Sequence, residues 1–383
     1  MTRALFFLFL FFLLPWNASA AAKPLAFEVT GWIPYWRAAT GTADILSRLD
    51  QFTAVMPFGY IVQNDGSLYD AFGFEATEAT STARVLTAVA KAQKTRVIPT
   101  VMWSNGAAIH AILSNGPKRR ALEDAIAKLV KDNNFDGIDI DFEAKWAKTR
   151  PYFSLFLQGL YMRMGPKWVY CTIEPRTPPS AAYDVIPATL EYANDYSAIN
   201  KYCDRVQIMA YDQGAVDIRL NAAANGSPYI PNSDVRWVEK VVTHAAKLIP
   251  KKKLLIGIPT YGYEYDVYPL TRGFRYDRVW AFNPRYALDL ASSLGIAPSR
   301  NSGGEISFLY TPTTTVSNLI AAAGSAGPLP ATTTPPQRIV WWSDASAISD
   351  KVQLAKKLGV RGVAIFKIDG GQDPGLWDVL PKR

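Results

Sequence analysis

Residues 136–143 read Asp-Gly-Ile-Asp-Ile-Asp-Phe-Glu, a run in which carboxylates recur at every second position. Side chains alternate faces along a β-strand, so Asp139, Asp141 and Glu143 project to one side and Ile138, Ile140 and Phe142 to the other. Carboxylates so spaced repel one another, and at least one must hold its proton more tightly than a free acid does. Packing alone has no use for that arrangement. A reaction that needs a proton donor beside a retained anion does. The alternative is a solvated acidic edge strand, but Phe135, Ile138, Ile140 and Phe142 mark a buried strand that carries acids. Perturbed carboxylates cluster at functional sites, so catalysis or ligand binding is the reading.

Other chemistries lack their residues. The chain has two Cys (Cys171, Cys203) and two His (His110, His244), all far apart, which cannot supply a zinc site of usual ligand spacing. Ser-His or Cys-His nucleophilic catalysis is equally poorly supported. Neither a metal nor an organic cofactor is implied. Cys171 and Cys203 form one disulfide if their strands are neighbours, or remain two buried thiols. The net charge of +8 is spread along the chain, with short clusters at Lys118-Arg119-Arg120 and Lys251-Lys252-Lys253. That describes a solvated basic surface, with at most a modest attraction to an anionic cell wall, and not a nucleic-acid partner.

The carboxylates need a scaffold. A length of 383 residues suits two average domains or one large α/β barrel. Residues 1–20 read as a signal peptide: Arg3, an apolar run from Leu5 to Leu14, then Ala18-Ser19-Ala20 as the cleavage site. The run is too short to span a bilayer and no Cys follows for a lipid anchor, so residues 21–383 are expected as an exported, unanchored monomer. The expected location is secreted, periplasmic or cell-wall associated.

Short apolar runs recur with helical patterns between them. Strands are predicted at 27–33, 53–58, 96–102, 137–142, 168–173, 205–210, 254–259 and 362–366. Helical spacing covers 83–93, 121–131, 152–162, 235–248 and 347–358. Eight strands alternating with helices predict a closed (β/α)8 barrel of the TIM type, and no GxGxxG follows the first strand to favour a dinucleotide fold. About a hundred residues separate strands seven and eight, too many for a simple crossover, so a small α+β insertion is placed at about 263–337. It holds a helix at 285–294 and an extended run at 305–309, and ends in a Pro/Thr/Ala/Gly-rich return at 324–336.

Working groups in such barrels sit at the C-terminal ends of strands. Glu143 ends the fourth. Trp32 and Tyr35 follow the first, Phe58 the second, Trp103 the third and Glu174 the fifth. Tyr211 and Asp212 follow the sixth, Tyr261 the seventh and Phe366 the eighth. Each aromatic alone reads equally well as packing; their concentration on one face suggests a sugar-stacking cleft.

With these residues in place the sequence resembles the family 18 glycoside hydrolases, the chitinase-like group. Its strand-four signature D-G-x-D-x-D-x-E is matched by Asp136, Gly137, Asp139, Asp141 and Glu143. Met209-Ala-Tyr-Asp212 is similar to its sixth-strand segment, Gly257-Ile-Pro-Thr-Tyr-Gly262 to its seventh and Gly362-Val-Ala-Ile-Phe366 to its eighth. Tyr261-Gly-Tyr-Glu-Tyr265 and Trp341-Trp-Ser-Asp344 resemble bacterial cell-wall and spore-cortex hydrolases within the family. Phe366 departs from the family's usual Trp, and the LysM wall-binding repeats common in that subgroup are absent.

The resemblance implies a division of labour. Glu143 acts as general acid and Asp141 orients the substrate's 2-acetamido group, while Asp139 shares a proton with Asp141 and Tyr211 bonds the acetamido oxygen. This family belongs to the glycosidases that use the substrate's own acetamido oxygen in place of an enzyme nucleophile. The implied partner is a polysaccharide containing N-acetylglucosamine, chitin or peptidoglycan, with Trp32, Tyr35, Phe58, Trp103, Glu174, Asp212, Tyr261 and Phe366 as binding residues. Family members that lost the acid become lectins, and other N-acetylglucosamine glycans are further candidate substrates.

Overall fold

A computed structural model describes residues 26–312 and 337–383. The segment 1–20, read as a signal peptide, and the return at 324–336 lie outside the described residues. Eight parallel strands close into a barrel. They are β1 (Glu28–Ile33), β2 (Ala54–Val62), β3 (Thr100–Trp103), β4 (Gly137–Phe142), β5 (Trp168–Ile173), β6 (Arg205–Ile208), β7 (Leu254–Pro259) and, after an insertion, β13 (Gly362–Phe366). Each pairs with the next in sequence, and β13 pairs with β1 to close the ring. Helices cover the outside, among them α1 (Ala38–Leu46), α2 (Thr82–Ala92), α3 (Gly116–Asp132), α4 (Arg150–Met164), α5 (Tyr196–Tyr202) and α6 (Val235–Ala245).

The sequence explains these elements locally. In α6, Asp234 caps the Arg236 N–H, and Trp237, Val238, Val241, Val242 and Ala245 form the buried stripe that faces the barrel. The third strand, predicted unbroken over 96–102, is split into Arg96–Val97 and Thr100–Trp103. Pro99 lies in the gap and has no N–H to continue the ladder. The sixth ends at Ile208 instead of Ala210, because the chain turns there: the Ala210 N–H bonds the Ile208 carbonyl and the Tyr211 N–H the Met209 carbonyl.

Among the described residues, the insertion between β7 and β13 is a five-stranded antiparallel sheet with a helix packed on it. Its strands are β8 (Gly262–Pro269), β9 (Phe274–Phe282), β10 (Ser299–Arg300), β11 (Ile306–Tyr310) and β12 (Gln337–Trp342), ordered β9-β8-β12-β11-β10. Helix α7 (Pro284–Leu294) covers one face through Ala287 and Ala291, against Phe282, Phe308, Val340 and Trp342. Alternation on β12 sends Trp342 into this small core and Trp341 into the barrel's. The last barrel helix, α8 (Ala345–Leu358), starts three residues later. The structure joins Cys171 on β5 to Cys203, just before β6, as a disulfide.

Candidate active site

β4 is registered from below. Asp136 accepts the Val97 N–H at 2.8 Å. At Gly137 a Cβ would lie 2.3 Å from the Trp168 carbonyl, so the close approach of β5 requires glycine. From there the odd-numbered residues enter the barrel. Asp139 is fully buried, and three donors meet it: Thr172 Oγ1 at 2.8 Å, Thr100 Oγ1 at 2.9 Å and Trp32 Nε1 at 3.3 Å. Behind Thr172 the chain of donors continues, with Thr30 Oγ1 to Gln207 (2.6 Å) and Gln207 Nε2 to Thr172 (3.2 Å). Five strands thus build one polar layer around a single carboxyl. Burial pushes Asp139 up to about 6, and these donors restrain the rise.

Asp141 sits one step higher, 3% exposed, and its Oδ1 has no hydrogen-bond partner. Burial raises its proton affinity well above that of a free carboxyl, with the neighbouring Glu143 and Asp139 adding to it. Of the two buried aspartates, Asp139 is surrounded by donors that favour an anion. Asp141 is the one that keeps the proton. Glu143 stands half-buried at the mouth, and it too is raised, by burial first and then by the charges of Glu174 and Asp212. One strand therefore carries a buried anion, a buried acid and an accessible acid in succession.

Phe366 ends β13 at the centre of an aromatic basin. Tyr211 lies flat against it (5.4 Å, 11° between planes), and Phe58, Tyr261 and Trp32 surround it at 5.8–5.9 Å. The turn after β6 that directs Tyr211 inward leaves Asp212 at φ +55°, fixed by its N–H to Asn232 Oδ1 (3.0 Å). The Asp212 carboxylate accepts the Tyr261 hydroxyl at 2.6 Å and the Tyr263 hydroxyl at 2.8 Å. Burial holds the Tyr211 hydroxyl far above its usual range, so it remains a donor at any working pH.

The structure gathers Asp139, Asp141, Glu143, Tyr211, Asp212, Tyr261, Phe58 and Phe366 into this basin. Trp32 lies beneath it, 1% exposed and bonded to Asp139, as a wall of the polar layer. Tyr35 is on the open rim, edge-on to Trp36, which in turn touches Phe58. Glu174 borders the acid, paired with Lys145 at 3.4 Å and accepting Asn194 Nδ2 at 2.7 Å.

Trp103 is the exception. It pairs in register with Phe142, so it faces outward and packs edge-on against that ring at 5.4 Å, away from the cleft. Met102, in register with Asp141, takes the inward place. Trp103 directly follows the predicted strand, but the two-residue alternation gives it the outward face. The same alternation, applied across neighbouring strands, would have found Thr30, Thr100, Thr172 and Gln207. Lys145 gave no such signal, because a charged residue two places after a motif reads as solvated. Among the described residues no group of three or more His, Cys, Asp or Glu side chains is arranged to hold a metal ion.

A closed parallel barrel with a proton-holding carboxyl at the end of β4, opening on an aromatic basin, defines a glycosidase-type site. The chain belongs to glycosyl hydrolases family 18, whose family profile matches residues 33–371. Among its relatives, the uncharacterized glycosylase YvbX of Bacillus subtilis is 22% identical over 271 residues, covering 71% of this chain and 68% of that protein. The putative sporulation-specific glycosylase YdhD of the same species is 26% identical across 70% of this chain, but the match spans only 55% of YdhD. In fold, the spore cortex-lytic enzyme SleL of Bacillus megaterium QM B1551 superposes with a TM-score of 0.68 at 22% identity, covering 94% of this chain and 76% of SleL. A class V chitinase from Pseudomonas fluorescens Pf-5 gives 0.70 at 22% identity, with 93% and 98% covered.

Proposed function

We propose that this protein is an exported hydrolase of β-1,4-linked N-acetylglucosamine polymers, chitin or the glycan strands of peptidoglycan, acting with retention and with the substrate's help. The observation that carries the reading is Asp141. A buried carboxyl that keeps its proton, with one oxygen unpartnered, stands between the anion Asp139 and the acid Glu143. Such a group suits a polar partner brought by the substrate, and an acetamido N–H at the second carbon of a sugar fits it.

Glu143 gives its proton to the glycosidic oxygen as the bond to the anomeric carbon breaks. The acetamido oxygen, aimed by the Tyr211 hydroxyl, closes on that carbon from the opposite side to form an oxazolinium ion. The Asp139–Asp141 pair shares one proton, which shifts toward Asp139 as Asp141 takes on negative charge beside the forming cation. Water then opens the ring at the same carbon and returns its proton to Glu143, so the configuration is retained. Phe366 and Tyr211 form the apolar floor under the reacting sugar, and Asp212 anchors that wall through Tyr261 and Tyr263.

The test is to incubate the protein with peptidoglycan, chitin oligomers and a high-mannose glycopeptide and to mass-analyse the products. Cleavage of either of the first two supports the reading and names the polymer. Release from the glycopeptide alone, or binding without release from any of the three, overturns it, the last outcome in favour of a lectin.

A further inference from the structure

The chain turns sharply directly after the acid. Ala144 has φ +54°, a left-handed conformation that a residue with a Cβ seldom adopts. Its carbonyl lies so near Gly106 that a Cβ there would come within 2.3 Å. The turn sends Lys145 back beneath the end of β4, where its side chain is 1% exposed. The ammonium donates to the Phe142 carbonyl, lies 3.4 Å from both Glu174 oxygens, and sits 4.9 Å from the centre of the Phe153 ring. A lysine this buried must be paired, and both its partners belong to the site. Glu174 is held from its other side by Asn194, whose carbonyl is fixed by Arg176 at 2.8 Å.

The charged groups around Glu143 come from each element that packs there: Asp139 and Asp141 on β4, Lys145 on the turn, Glu174 after β5 and Asp212 after β6, the last facing Arg278. Tyr211 is neutral. Glu174 and Asp212 strengthen the hold of Glu143 on its proton, and Lys145 opposes them. Lys145 acts on Asp141 in the same sense. It is the cation set into this group of acids, and its position depends on backbone geometry and not on a mobile surface arm.

We propose that Lys145 is a positioning residue for the acid: it pins the Phe142 carbonyl, in the peptide that leads into Glu143, and holds the Glu174 carboxylate at the same end of β4, so that the acid works between two opposed charges fixed in place. The inference rests on the reading of Glu143 as the general acid. It adds that two opposed charges outside the D-G-x-D-x-D-x-E signature, Lys145 and Glu174, tune the upper pH limit of catalysis against each other.

The experiment follows the Glu143 carboxyl directly, by carbon NMR of protein labelled at the glutamate carboxyls, with Glu143→Gln assigning the resonance. In parallel, the basic limb of kcat/KM is measured on 4-nitrophenyl N,N′-diacetylchitobioside. Loss of a nearby opposite charge in Lys145→Met raises the midpoint by about one pH unit, and loss of a like charge in Glu174→Gln lowers it by about as much. The double variant returns toward wild type, and Lys145→Arg, which keeps the charge, stays near it. A midpoint that is unmoved in the single variants, or moves the same way in both, overturns the proposal and leaves Lys145 a structural lysine. Should Lys145→Met not fold, Glu174→Gln decides alone: a downward shift supports the pair and no shift refutes it. If no form cleaves the chitobioside, the substrate reading is at fault, and the carboxyl titration still decides the role of Lys145.

Discussion

At the lower end of the barrel, Glu28 opens β1 and is met by three arginines. Arg205 bonds it through two nitrogens at 2.7 and 2.8 Å, Arg361 reaches it at 2.8 Å, and Arg96 stands at 3.6 Å. The guanidiniums of Arg96 and Arg205 both lie over the Trp168 ring. Burial works against the Glu28 anion, but the arginines outweigh it and hold the carboxyl below its usual range. At the upper end, Asp139, Asp141 and Glu143 are all raised, and Asp141 has an oxygen with no partner. Burial is common to both ends; a bonded cation is not, since Glu28 is met by guanidiniums while Asp139 is met by neutral donors alone. Glu305, at the junction with the insertion, is also paired with a buried cation, Lys351 at 3.9 Å, and Asn232 N–H, Ser233 N–H, Trp341 Nε1 and the Ser343 hydroxyl all donate to it. In this molecule a fully buried acid paired with a cation braces the fold, and one without a bonded cation marks the site.

The sharpest way to break that division is to neutralise one acid at each end. Glu143→Gln is expected to lose about 10²–10⁴-fold in kcat on an N-acetylglucosamine oligomer. Its midpoint in thermal unfolding should not fall, since a neutral amide replaces a carboxyl that burial and its acidic neighbours already keep from ionising. A variant that unfolds easily, or one that keeps full activity, would place Glu143 with the structural acids. Glu28→Ala should do the reverse. Leaving the buried Arg205 and the half-buried Arg96 and Arg361 without their carboxylate costs up to about 3–5 kcal/mol of stability, read by urea titration, while kcat of the protein that remains folded is unchanged. Loss of kcat without loss of stability would refute the division from the other side.

The Cys171–Cys203 bond lies between these ends and braces β5 to β6, the strands that supply Thr172 and Gln207 to the Asp139 layer. It closes a loop of 32 residues, and loss of a link of that size costs about 2–4 kcal/mol. The Cys171→Ser/Cys203→Ser protein should lose that stability in urea and keep the kcat of the oxidised form. A selective fall in kcat at undiminished stability would instead make the bridge part of the site.

Much of this was legible in the sequence, for one reason: alternation. The acids of β4 declared their face because Ile138, Ile140 and Phe142 declared the other. The bounds of β4, β5, β7 and β13 could be read because short apolar runs ended at polar or glycine residues. Distance along the chain puts Trp103 at the strand end beside the cleft, but its side of the strand turns it away. Lys145 and the Glu28 cluster were not legible. Each depends on residues distant in sequence or on one left-handed turn at Ala144, and nothing in a charged residue's neighbours says that it will be buried. The disulfide stood open for the same reason, since pairing needs the neighbour relation of β5 and β6 that only the closed barrel supplies.

The smallest expected effect is also the most direct contrast of the two ends, because it concerns the sign of a slope. Glu28 is lowered in the folded protein, so its contribution to stability is present above the unfolded value and is lost as the pH falls through the folded one. Asp139 is raised, to about 6, so its contribution is full below the unfolded value and is lost as the pH rises through about 6. Urea unfolding followed from neutral pH down through the acid range below the ordinary glutamate value should therefore show Asp139→Asn losing less stability than the parent as the pH rises through about 6. Glu28→Gln should lose less than the parent as the pH falls. Asp141 and Glu143, raised as well, remain in both variants and set the residual slope. Were both substitutions to change the slope with the same sign, the two ends of the barrel would not differ in how they hold their protons, and a bonded cation would not be what separates bracing acids from working ones.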